Sequence, residues 1–109
     1  MPSSHVVLLN LTDTGRRELD KNLDAVAEHM RVALKSAEGK LVALRWTSGA
    51  YDAVAIVDLD DDLVPGFSLW LGGFIGATTT TLRAFDDEEL RAGLKRWADS
   101  QQNTGALGP

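Results

Sequence analysis

From Val6 to Leu11 the sequence reads VVLLNL, with apolar side chains at successive positions rather than alternate ones. Side chains of a strand point alternately to the two sides of its sheet. A strand apolar on both sides needs cover on both. The run AVAIV at Ala53–Val57 has the same character. A chain of 109 residues is one small domain. It buries only about two-thirds of its unfolded surface, so self-association would help stabilise it.

The order of elements follows from changes in period. Ser4–Leu11 reads as a first strand. From Thr14 the apolar residues Leu19, Leu23, Val26, Ala27, Met30 and Leu34 recur at helical spacing. Asp13 or Thr14 is the expected cap. A break is possible near Asn22, and Gly39 suits the left-handed position after the last turn. Lys40–Thr47 and Tyr51–Leu59 are two strands of a hairpin with SGA as the turn. A second helix is expected from Asp60, with Pro65 in its first turn and Gly72 and Gly73 at its end. Gly76–Phe85, rich in threonine, is the fourth strand. A third helix opens at Asp86, with Glu89 completing a capping box and Leu90, Leu94 and Trp97 as its inner face. The pattern is α+β: a ferredoxin-like β-α-β-β-α-β with an extra C-terminal helix. One domain is expected over residues 1–99, with 100–109 a flexible tail.

The charge of −5 disfavours nucleic acid and anionic membranes, because the basic residues are scattered. The absence of cysteine removes disulfides and thiol chemistry and fits a reducing cytoplasm. The N-terminus lacks the basic start of a signal peptide, and no apolar run reaches membrane length, so a cytoplasmic location is expected. No cofactor is expected. His5 and His29 are too far apart in character for a metal triad: His29 reads as a surface residue and His5 as a mobile one. Asp58, Asp60 and Asp62 have the spacing of a calcium loop, but the glycine and glutamate it requires are missing.

VVLLNLTDTG, SGAYDAVAIVDL and TTTTLRAF, in this order, resemble the GYD family, small proteins named for a Gly-Tyr-Asp motif. Here the motif carries one extra residue, Gly49-Ala50-Tyr51-Asp52. The resemblance implies a dimeric α/β barrel in which two ferredoxin-like sheets pack face to face. It implies no activity.

With TSGA as the loop, Trp46 pairs with Tyr51 and Arg45 with Asp52. One face of the hairpin then holds Val42, Leu44, Trp46, Tyr51, Ala53 and Ala55; the other holds Leu41, Ala43, Arg45, Asp52, Val54 and Ile56. The bulkier Val54 and Ile56 are assigned to the helices, and the alanines to the space on the barrel face. Leu82 and Ala84 are likewise given to the helices, and Thr79, Thr81 and Arg83 to the barrel. On the first strand Val7, Leu9 and Leu11 meet the helices, and Val6, Leu8 and Asn10 face the barrel. The candidate ligand wall is Asn10, Trp46, Tyr51, Thr79, Thr81 and Arg83, aromatic surface with a few polar groups. A slip of one residue would invert these faces. Strands one and three are expected to run parallel. That would gather Trp46, Tyr51, Asp52 and Arg83 at one end, near His5.

Each of these side chains also has an architectural reading. Tyr51 is a proton donor or a packing partner of Trp46. Asp52 is a base, a partner of Arg45 or a turn residue. Arg83 grips an anion or pairs with an acid. Three functions remain open: a homodimer binding a small, partly apolar molecule, a cofactor-independent enzyme of the dimeric α/β-barrel type (oxygenase- or isomerase-like), and a structural or interaction module.

Overall fold

In the computed structural model, which describes residues 2–104, four strands form one antiparallel sheet. They are β1 (Ser3–Leu11), β2 (Lys40–Trp46), β3 (Ala53–Leu59) and β4 (Ala77–Ala84), in the order β2-β3-β1-β4. Helices α1 (Asp13–Ser36) and α2 (Val64–Ile75) cover one face, and α3 (Asp87–Thr104) follows β4. A single 3-10 turn, Asp61–Leu63, leads into α2. This is the expected ferredoxin-like α+β pattern with its additional helix. β1 is antiparallel to both β3 and β4, so its parallel companion is β2, not β3 as expected from sequence. The helical crossover from β1 leaves room for β3 between the two parallel strands.

Helix α1 is continuous through Asn22. Thr12 is its cap, not Asp13 or Thr14: the Gly15 N–H donates to Thr12 Oγ1 at 3.1 Å. At the other end Glu38, not Gly39, takes the left-handed conformation, with φ 59°. Gly39 is needed for space, because a Cβ there would come within 2.5 Å of the Asp58 carbonyl oxygen. Gly72 and Gly73 lie inside α2, which ends at the left-handed Gly76, φ 69°. The capping box of α3 forms as read: Glu89 N–H donates to Asp86 Oδ1 at 2.8 Å, and Asp86 N–H to Glu89 Oε1 at 3.2 Å. The helix runs on to Thr104, into the tail expected from residue 100. The remainder of the proposed tail lies outside the described residues.

The core joins Val7 and Leu9 of β1, Ala53, Ala55, Val57 and Leu59 of β3, and Val26, Met30, Leu34, Phe67 and Leu71 of the helices. Here the expected faces of β3 are reversed. Ala53 and Ala55 are buried under the helices, and Val54 and Ile56 point to the open side. The alanines do leave space, but large helical side chains of the same cluster fill it.

β1 and β4 are tied together where α1 begins and α2 ends. The Thr12 N–H and Oγ1–H both donate to the Gly76 carbonyl, at 2.8 and 3.0 Å. The backbones approach so closely that a Cβ on Gly15 would collide with that carbonyl and lie 2.8 Å from the oxygen of Ile75. Gly73, by contrast, has open space where a Cβ would go. Gly15→Ala should therefore lower unfolding free energy by about 1–3 kcal/mol through overpacking. Gly73→Ala should raise it by about 0.5–1 kcal/mol by restricting the unfolded chain. Urea denaturation of the two variants beside the parent checks both signs.

Candidate functional site

The link between β2 and β3 is longer than TSGA. Trp46 pairs with Ala53, and Arg45 with Val54, so the loop runs over residues 47–52. This is a shift of two residues from the expected register, which preserves sides. Leu44 and Trp46 still share a side with Ala53 and Ala55, but that side is the helical one. An irregularity between Leu41 and Ala43 turns Leu41 inward opposite Val57 and leaves Val42 exposed.

Asp52 fastens this loop to the end of β1. Its Oδ2 accepts from the Leu11 N–H at 2.8 Å, its own N–H donates to the Leu9 carbonyl at 2.8 Å, and its carbonyl accepts from the Thr47 N–H at 2.8 Å. Thr47 Oγ1 donates to the Tyr51 carbonyl at 2.6 Å. Gly49, at φ 133°, supplies a conformation that other residues rarely adopt. The Gly-Ala-Tyr-Asp stretch is thus a loop whose aspartate satisfies backbone donors at a strand end. Arg45 is not its partner.

At the opposite end of the sheet His5 pairs with Arg83 across β1 and β4. His5 is buried, 4% exposed, and its Nε2 lies 3.1 Å from Asp61 Oδ1 without the alignment of a hydrogen bond. Arg83 meets Asp61 at 3.5 Å and Glu89 at 3.1 Å, donates to the carbonyls of Ser4 and Ala84, and lies 4.4 Å over the Phe85 ring. The arginine is used by the chain itself. It links β1, the turn before α2 and the first turn of α3. His5 is neither exposed nor at a loose end, contrary to the expectation from its place in the sequence. His29 is on the surface as expected, and tilts against Phe74 with centroids 5.0 Å apart.

The six expected ligand residues do not form one wall. Thr79, Thr81 and Arg83 face the helices, opposite Leu9, Val7 and His5 of β1. The Thr81 hydroxyl and the Arg83 charge find partners there: Thr81 Oγ1 and Ser68 Oγ of α2 are 3.0 Å apart, and Arg83 meets Asp61 and Glu89. Trp46 also lies on the helical side, in a 270 Å³ groove with Leu23, Ala27 and Arg31 of α1. Tyr51 is in the loop. Asn10 alone points to the open face. Trp46 and Tyr51 are at the end of the sheet away from Arg83, because β1 and β3 are antiparallel.

Sequence reasoning found the β1 part of the open face, Val6, Leu8 and Asn10, and missed what β3 and β4 bring to it. The open face carries Val6 and Leu8 of β1, Val54 and Ile56 of β3, and Leu82 of β4, with Asn10, Thr78 and Thr80 beside them. Leu82 is half exposed. The signal was present in the alternation of β4, where Leu82 is out of step with Thr79, Thr81 and Arg83.

Residues 5–94 match the family model of the GYD domain. The chain belongs to the GYD domain family. The match takes in all four strands, both packed helices and the first two turns of α3. A search of curated proteins gives no match. Among the described residues no three His, Asp or Glu side chains are grouped to hold a metal ion, and no helix is long and apolar enough to cross a membrane. In this GYD domain the motif's aspartate has an architectural use that can be measured. Asp52→Ala removes a charged acceptor from the Leu11 N–H. It should cost about 1.5–3 kcal/mol, with hydrogen exchange at Leu11 rising before the core amides exchange.

Proposed function

We propose that this GYD domain works as a homodimer whose open sheet faces oppose one another and hold a small, partly apolar molecule between them. The observation that carries the reading is the uncovered patch of Val6, Leu8, Val54, Ile56 and Leu82. A sheet with helices on one side only leaves this apolar surface to water, and a second copy related by a two-fold axis supplies identical apolar cover. The polar groups beside the patch, Asn10, Thr78 and Thr80, are the kind that orient a ligand in an apolar site. They replace the wall expected from Trp46, Tyr51, Thr79, Thr81 and Arg83. Asp52 and Arg83 lend an enzyme no support, since both serve backbone or ion-pair contacts within the chain.

Native mass spectrometry of the purified protein, set against its denatured mass, separates the two halves of the proposal. A dimer with a discrete added mass supports both. A dimer of bare chains keeps self-association and removes the ligand. A monomer removes both. Leu82→Lys places a charge in the proposed interface and should weaken association by about 2 kcal/mol or more, roughly thirtyfold. Sedimentation velocity over a dilution series reads that change.

A further inference from the structure

Helix α3 has an apolar stripe that its own chain does not cover. Leu90, Leu94 and Trp97 are 56, 60 and 64% exposed, although their spacing is that of a core-facing helix. The helix stands off the body, which gives the chain a long axis of 62 Å against 30 and 20 Å. It is not a loose appendage. Only Phe85 and Asp86 separate it from β4, its first turn is held by the capping box, and Arg83 grips Glu89. These contacts aim the helix away from its own sheet.

We propose that α3 is an exchanged arm: in the homodimer it lays Leu90, Leu94 and Trp97 against the second copy of this chain, beside the opposed sheets. The inference rests on the self-association proposed above and extends it to a separate surface. Charge selects the occupant. From Leu90 onward the chain has three basic residues, Arg91, Lys95 and Arg96, and one acid, Asp99, for a net +2. With Asp87, Glu88 and Glu89 of its first turn included, α3 as a whole is −1, and residues 1–86 sum to −4. Each copy therefore offers an acidic body and an arm whose distal part, beyond an acidic first turn, is basic, and two copies can satisfy each other twice. Area points the same way. Four strands about 4.8 Å apart and about 25 Å long present roughly 480 Å² of sheet face. A stable interface takes about 800 Å² from each partner. A helix of 18 residues, about 27 Å long and 10 Å wide, adds roughly 270 Å² and closes most of that gap.

The test measures dimer dissociation for the parent, Leu94→Asp, the charge reversal Lys95→Glu/Arg96→Glu and the sheet variant Leu82→Lys. The charge reversal keeps good helix formers, so it stands if Leu94→Asp unravels α3. A single-tryptophan chain, Trp46→Phe/Trp70→Phe, reports on Trp97. The arm predicts about tenfold or more weakening in both α3 variants, and Trp97 emission that is blue-shifted in the dimer and moves red on dilution. A dimer whose dissociation ignores both α3 variants, or whose Trp97 emission stays red throughout, overturns the arm and leaves sheet pairing intact. A dimer weakened by the α3 variants but indifferent to Leu82→Lys keeps the arm and overturns the opposed sheets. A parent that is monomeric at its highest soluble concentration overturns both.

Discussion

The carbonyl of Gly76 receives two hydrogen bonds from Thr12, and most of the architecture can be traced from that point. Thr12 closes β1 and starts α1, while Gly76 closes α2 and starts β4. Joining them fixes the entry to one helix beside the exit from the other. Both helices must then lie on one face of the sheet. The alternation of β1 and β4 is set from the same place, with Leu11 opposite Ala77, Leu9 opposite Thr79 and Val7 opposite Thr81. No side chain larger than hydrogen fits at Gly15 without moving the backbone, which is why the chain has glycine three residues after the cap.

What could be read in the sequence was whatever depends on local chemistry. Helical period, the Asp86–Glu89 box and the β-α-β-β-α-β order are encoded within a few residues of each other. The inward side of β1 was legible too, since Val7 and Leu9 are the alternate pair that becomes buried. The sides of β3 and β4 were not. Alanine suits both a cavity and a tightly filled core, and only the partners Met30 and Leu71 decide between them. Threonine suits solvent or a facing serine, and Ser68 lies on an element 13 residues away. The capping-box helix carried a comparable ambiguity. Its stripe states that Leu90, Leu94 and Trp97 want cover, but sequence does not say whether the cover belongs to the same chain.

The residues that looked most like chemistry turn out to be joints. Asp52 ties the loop before β3 to the end of β1, and Arg83 ties β1 and β4 to the first turn of α3. His5 lies under the turn that holds Asp61. A charged side chain engaged by neighbouring backbone and counter-ions has limited freedom to meet a substrate. Polar groups therefore hold this fold in register, and its unassigned surface is largely apolar.

The edges and the open face of the sheet are treated differently. On the edge strand β2, Lys40 and Arg45 bracket an irregularity that exposes Val42 and interrupts pairing with β3. Charges and bulges of this kind discourage another strand from adding to an edge. The other edge, β4, presents Thr78 and Thr80 in alternation and turns at Asp86 into a helix whose first residues are acidic. The centre of the open face has no such device: Val6, Leu8, Val54 and Ile56 lie side by side without a charge between them. Edge-to-edge growth would extend a sheet without limit, whereas face-to-face pairing about a two-fold closes after two copies. Guarded edges around an unguarded face favour the closed arrangement.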